Sequence, residues 1–599
     1  MQPTHSCDVG RRKSVGRHVS CPWAFRPRWL GLMLLLTGLA IAPLAASPLS
    51  AYAAVFQVCP SGCAFTSIQG ALAAAHNGDE IDIAAGTYSG GFTITQNAKL
   101  VGAGELSTFI SGGAPVMTIA AGANVAVTGL SLTNGSNAGN GGGVLNLGRL
   151  ALTGVAVSGN SASRGAGLLN IGILTLFNSI VNNNRATLNG GGILNRPGGA
   201  ATLTSSSVTG NAAGGIGGGI ANVGGSLTLA GTNISGNSVS ATGGGGGIYN
   251  LGVLSVSNST ISANYGGAGG GLVEDENVPA FGTSTARLNN CQVTSNRADF
   301  GGGIISYAGS LSLSGGQVSG NVASSAGGGI YNGTGGTVIM AGTTVSNNDT
   351  GSGNGGGISN SGKLTVSDST ISGNSGGSAG GGLLMVGTST ATLKTSSVTA
   401  NTASNGGGIF LYAGTLTLSG GQVSGNVASS GGGGIYNDTG ATVTLNGSTL
   451  SSNSAATAGG GLYNAGTAVL KDATVSSNTV AAGGNAGGIS NVGSLTASDS
   501  TISGNAGGGA GGGLIMAGAS TATLSNTQVT GNGADYGGGI LLFSGNLTIS
   551  DGLVEFNGAN IDGGGIFLST GTVTLTNTSV VSNTPDNCAP PNSIAGCSG

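Results

Sequence analysis

The sequence predicts an all-β solenoid: a parallel β-helix with three short strands per coil of about 26 residues and a short cap helix at its N-terminal end. Three observations predict it. One motif recurs 17 times between residues 141 and 583, each copy closes on an asparagine, and the composition suits stacked strands. Of 599 residues 125 are glycine and only 6% are charged, where about 25% is usual for a soluble domain. Glycines in clusters with 12 prolines exclude collagen, and 39% hydrophobic residues with so little charge oppose disorder. A polytopic membrane protein is excluded because one apolar run, near the N-terminus, approaches spanning length.

That run opens the chain. Arg11, Arg12, Lys13, Arg17, Arg26 and Arg28 precede the apolar stretch 30–46, and Ala51-Tyr52-Ala53 supplies a small-residue cleavage pattern. The order is that of a secretory signal peptide over 1–53, so an extracellular, secreted or surface-associated protein is expected, with no transmembrane segment after cleavage. The remainder holds 10 basic and 18 acidic residues, a net charge near −8, which disfavours nucleic-acid binding. In an exported chain the close pairs Cys59/Cys63 and Cys588/Cys597 read as disulfides, and Cys291 as an unpaired scaffold thiol.

Residues 54–140 are expected to form the N-terminal cap and first coils. Thr66 to His76 reads as an amphipathic helix that plugs the open end, because an uncapped coil is an exposed strand edge. The repeated coils then occupy 141–583. A typical one begins Gly246-Gly247-Ile248-Tyr249-Asn250, continues through the alternating Leu254-Ser255-Val256, and ends Ser259-Thr260-Ile261-Ser262-Ala263-Asn264. From Asn160 to Asn583 the closing asparagines span 423 residues in 16 intervals. An aliphatic residue lies three before each of them, from Val157 to Val580. Six before, Gly, Asn or Asp stands in 15 of 17 coils, which marks a left-handed corner. Period-2 alternation with Ser, Thr, Gly and Asn excludes helical repeats. At about 4.8 Å per coil, 17 coils make a rod of roughly 80 Å. Asn237, Asn264, Asn321, Asn374, Asn426 and Asn505 exemplify a ladder of stacked amides. Residues 584–599, with three prolines and the second cysteine pair, are expected to close the far end.

Phe65-Thr66-Ser67-Ile68-Gln69, Ala71-Leu72, Gly78-Asp79, Ile81 and Gly86-Thr87-Tyr88 resemble the start of the pectin lyase-like superfamily of right-handed parallel β-helices. The coils are similar to the chlamydial-type polymorphic outer membrane protein repeat, with an aliphatic residue where that repeat has Phe before x-x-Asn. The first resemblance implies a right-handed helix and admits pectin and pectate lyases, pectinesterases and polygalacturonases; the second implies a surface adhesin. The membrane barrel of the second family is not expected here, since the repeats run to Asn583.

Chemistry is sparse. His76 is the one histidine after the leader, which leaves histidine-based triads and metal sites unsupported. Asp368, Asp472, Asp499 and Asp551 share the left-handed corner; Asp472 and Asp499 stand on adjacent coils and are the candidates for a catalytic carboxylate pair. Backbone conformation accounts for all four without chemistry. Glu274, Asp275 and Glu276 sit in a coil lengthened to 32 residues and are the candidates for calcium, the one cofactor considered. The expected function is a non-catalytic adhesive or structural protein that binds glycans or cell surfaces. The alternatives are a polysaccharide-active lyase or hydrolase and, third, an ice-binding protein.

Overall fold

The computed structural model describes residues 53–275 and 284–597. They form a right-handed parallel β-helix with one short α-helix, Ile68–Ala74. The signal-peptide reading falls on residues outside that range, apart from Ala53.

One coil shows how the sequence folds. Ile435–Asn437 and Thr442–Asn446 lie in a first sheet, Thr449–Ser451 in a second and Ser454–Ala455 in a third. Each pairs in parallel with its counterpart one coil on: Ile435 with Leu462, Thr442 with Thr467, Thr449 with Thr474 and Ser454 with Thr479. Every coil of this kind therefore contributes one strand more than the three expected. The extra one follows the ladder asparagine, where small residues and glycines hide the period-2 signal. The first sheet is creased between its two strands, and in some coils they fuse, as in Ile248–Ser257 and Ile304–Ser314.

Inward side chains fill one continuous core. Ile435, Val443, Leu445 and Leu450 are at most 1% exposed, and the same four positions are apolar in coil after coil. At the N-terminal end Ser67 caps the helix by accepting from the Gly70 amide, and Ile68, Ala71 and Leu72 cover the first coil.

The asparagine ladder is unbroken from Asn160 to Asn583. Asn374 is representative: its Nδ2 donates to Asn401 Oδ1 (2.9 Å) and to the Val345 carbonyl (3.0 Å), and its backbone amide donates to Asn401 Oδ1 (2.9 Å). Its own Oδ1 accepts from the amide and the Nδ2 of Asn348. The same bonds recur at Asn237, Asn264, Asn321, Asn426 and Asn505. At the C-terminal end Asn583 donates to Asn587 Oδ1, so the cap supplies the ladder's last acceptor. Six residues before the asparagine, φ is positive in all 17 coils, including those with Ser205 (φ 48°) and Thr395 (φ 46°).

A second, interrupted ladder runs along the crease. Asn146, Asn170, Asn195, Asn222 and Asn250 are linked Nδ2 to Oδ1, and Asn250 then donates to Glu274 Oε2 at 2.7 Å. Glu274 and Ser306 replace asparagine in two coils, as do Met385 and Leu411, and then Met516 and Leu542, in register.

Candidate functional site

In each coil the first and third residues of the opening strand segment face the core, so the residue between them points away from it. Along one stretch this outward column reads Tyr249, Val273, Ile305, Tyr331, Ser359, Leu384, Phe410, Tyr436, Tyr463. Outward side chains are ordinarily exposed, yet Val273 and Ile305 are fully buried and Phe410 is 8% exposed. Elsewhere along the column ring contacts show flanking side chains rising beside it. Phe300, at the end of the third sheet, meets Tyr331 at 5.7 Å between centroids, and Tyr307, on the crease, meets the same ring at 6.4 Å. Tyr536 meets Phe567 at 5.4 Å. The result is a longitudinal groove, filled at Val273 and Ile305 and part-open at Tyr331, Tyr436 and Tyr463, with one wall at the end of the third sheet and the other at the crease.

Phe410, Tyr436 and Tyr463 stack face to face along the floor, with centroids 4.8 and 4.5 Å apart, about the rise of a coil. Burial, and then Tyr463 and Asp438, push the Tyr436 hydroxyl up to about 12. Tyr249 donates to Asp275 Oδ2 at 2.6 Å, and burial with that carboxylate drives its pKa far upward. Burial likewise raises Tyr307, with Tyr331 and Asp275 adding to it. These phenols are therefore neutral donors at any physiological pH.

At the C-terminal end of the groove Asp562 follows Tyr536 in the wall, and Asp586 pairs with it. Burial first, and Asp562 second, hold the Asp586 carboxyl above the usual range. A carboxyl raised in the folded state stabilises the fold fully only below its unfolded pKa, and that contribution is lost as pH rises through the folded value. Asp586→Asn is thus expected to stabilise the C-terminal cap at pH 7 and to flatten the pH dependence above about pH 4. Hydrogen exchange of residues 566–597 from about pH 3.5 to 7 checks it.

The sequence candidates lie elsewhere. Asp472 and Asp499 occupy the opposite corner with φ of 50° and 52°, and Asp499 accepts from Asn526 Nδ2 at 2.8 Å in an exposed bond. Asp368 and Asp551 accept in the same way from Thr395 and Asn577. Of the acidic loop, Glu274 points into the core as a substitute ladder residue while Asp275 turns to the groove wall; Glu276 lies outside the described residues. Among the described residues no three His, Cys, Asp or Glu side chains come together as a metal site. Cys59 is bonded to Cys63 and Cys588 to Cys597. Cys291 is buried in a column that elsewhere holds Ser259 and Thr343; its thiol points at the Val256 and Asn289 carbonyls, and burial raises its pKa. Sequence reasoning missed the groove aromatics. Their signal was a Tyr or Phe immediately before or after the position of the crease asparagine.

A family model described as a right-handed β-helix region matches residues 314–480 and 433–597. Among solved structures, the pectin methylesterase PemA from Erwinia chrysanthemi is similar at 13% identity, covering 43% of this chain and 82% of that one, with a TM-score of 0.25. Pectate lyase Pel9A is similar at 15% identity, covering 50% and 79%, with a TM-score of 0.26. The PL6 family alginate lyase AlyGC is similar at 11% identity, covering 89% and 100%, with a TM-score of 0.18. No curated protein sequence matches. No helix of the described residues is long and apolar enough to cross a membrane.

Proposed function

We propose that this chain is an exported, non-catalytic β-helix that holds glycans along its groove, an adhesive or structural role. One observation carries the reading: the groove floor presents an aromatic stack, Phe410, Tyr436 and Tyr463, beside further rings on its walls. The stacked rings cover one another's faces, so their edges, with the more exposed wall rings, take up the C–H surfaces of sugars, and phenols such as Tyr463 donate to sugar hydroxyls. Affinity electrophoresis over a panel of neutral and acidic polysaccharides tests it, paired with assays for reducing ends and unsaturated products on the same panel. Retardation without product is the expected result. Turnover of any member overturns the non-catalytic half, and no retardation by any member overturns the whole.

One observation favours a second reading, a polysaccharide-active enzyme. Asp562 and Asp586 form a carboxylate pair with one member raised, the arrangement a general acid needs, at the end of the same groove. On that reading Asp586→Asn abolishes turnover while leaving retardation intact.

A further inference from the structure

The wall at the crease carries exposed rings at three equivalent places. Tyr307 is 40% exposed, Tyr412 62% and Phe543 61%. Each follows a coil position where the crease asparagine is replaced, by Ser306, Leu411 and Leu542. Each opens the same short corner, Tyr307-Ala308-Gly309, Tyr412-Ala413-Gly414 and Phe543-Ser544-Gly545, whose glycine has a φ of 83°, 89° and 104°. Under each corner lies a buried serine of the preceding coil: Ser284, Ser389 and Ser520, at most 2% exposed. Their hydroxyls have no hydrogen-bond partner among the described residues. A Cβ on the corner glycine would stand 2.8 to 3.0 Å from that hydroxyl. The chain thus passes so close over the serine that only glycine fits, and the ring two residues earlier is turned outward. A corner built three times in this way is a module, whereas scattered exposed apolar residues are ordinary on any surface.

The register fixes the spacing. Four coils separate Ser306 from Leu411, through Asn332, Asn360 and Met385. Five separate Leu411 from Leu542, through Asn437, Asn464, Asn491 and Met516. At about 4.8 Å per coil the rings lie about 19 Å and about 24 Å apart along one straight wall. Charge restricts the occupant. Residues 274–599 carry 14 carboxylates against five basic residues, and Asp275 and Asp438 sit on the same wall one coil from Tyr307 and Tyr412. A polyanion is repelled there, whereas an uncharged polymer is not.

We propose that Tyr307, Tyr412 and Phe543 are three subsites of one trivalent binding edge for an uncharged, extended polysaccharide lying along the rod. The proposal rests on the glycan reading above and narrows it to neutral polymers engaged at intervals. Each ring alone binds one sugar face weakly; a polymer long enough to meet all three gains effective concentration at the second and third contacts, worth about 10²–10⁴ in affinity.

The test measures dissociation constants of the whole protein for hydroxyethylcellulose, xyloglucan and galactomannan, for a trisaccharide of each backbone, and for polygalacturonate. At least one neutral polymer is expected to bind about 100-fold or more tightly than its trisaccharide, and polygalacturonate to bind less than that polymer. Tyr412→Ala removes the middle ring and is expected to cost the polymer about 10-fold, with the trisaccharide little changed. Removing all three rings brings polymer affinity down to that of the trisaccharide. Tyr412→Phe keeps the ring and should keep the affinity, which separates stacking from any loss of fold. If neutral polymers bind but length and the three rings do not matter, or if polygalacturonate binds best, the trivalent edge is overturned while the glycan reading stands. If no glycan binds the wild type, that reading falls and takes this proposal with it.

Discussion

Asn374→Ala is expected to destabilise the rod by about 3–6 kcal/mol, a large part of the roughly 5–15 kcal/mol that holds a typical domain folded. The side chain lies in the middle of the ladder and is fully buried. Its removal leaves the Asn348 backbone amide without a partner and takes one hydrogen bond each from Asn348 Nδ2, the Val345 carbonyl and Asn401 Oδ1. The stranded amide costs about 1–3 kcal/mol and each lost bond about 0.5–1.5 kcal/mol. Asn374→Asp should be worse at neutral pH, since a buried carboxylate accepts but cannot donate; acid should recover part of the loss by restoring one O–H donor. Asn583→Ala is the comparison. That residue is 9% exposed at the end of the ladder, and its loss should cost less than half as much. Urea unfolding followed by circular dichroism reads all three. A loss below about 1 kcal/mol at Asn374 would show that the ladder is incidental to stability.

Because each coil touches only its neighbours, the same substitution should also split the transition. Coils on the two sides of residue 374 would unfold at separate midpoints, visible as a biphasic curve, where the wild type gives one.

The ladder was legible in the sequence because a single residue type recurs at one register position with an aliphatic residue always three before it. The corner was legible for the same kind of reason: Gly, Asn and Asp share one conformational property, and the positive φ extends even to Ser205 and Thr395, which lack it. The fourth strand was not legible. Segments such as Ser454–Ala455 are two residues long, too short for any period, and exist only because neighbouring coils present them to one another. The groove was hidden for a different reason. Tyr249, Tyr331, Phe410, Tyr436 and Tyr463 are far apart in the chain and become one surface only when the register is known. The candidate carboxylates show the converse. Asp472 and Asp499 are neighbours, as adjacent coils require, but the corner that gathers them faces away from the groove.

Gly408→Ala is expected to be the more damaging of two glycine substitutions that look alike in sequence. Gly408 closes a triplet and makes no demand for positive φ, so its dihedral angles alone would admit alanine. Space does not. A Cβ there would stand 2.6 Å from the Gly434 carbonyl oxygen of the next coil and 2.9 Å from the Asn426 side-chain amide. Backbone cannot yield as a flexible side chain does, so the coils must part, weakening the Gly408 to Gly433 hydrogen bond (3.1 Å) and displacing the ladder. A loss of about 3 kcal/mol or more follows. Gly447→Ala is the counterpart: its φ is 56°, which alanine disfavours by about 1 kcal/mol, but nothing lies within 4 Å of the added carbon. Gly447→Asn should cost only a few tenths, since asparagine occupies the same corner at Asn258 and Asn526. The two mechanisms separate in a double-mutant cycle. Asn426→Ala removes one of the groups that the added methyl of Gly408→Ala would strike, so the double variant should be less destabilised than the sum of the singles by about 1–2 kcal/mol, whereas Gly447→Ala with Asn426→Ala should be additive. Additivity in both pairs would place the cost of the triplet glycines in the backbone dihedral rather than in the packing of the coil against the amide ladder.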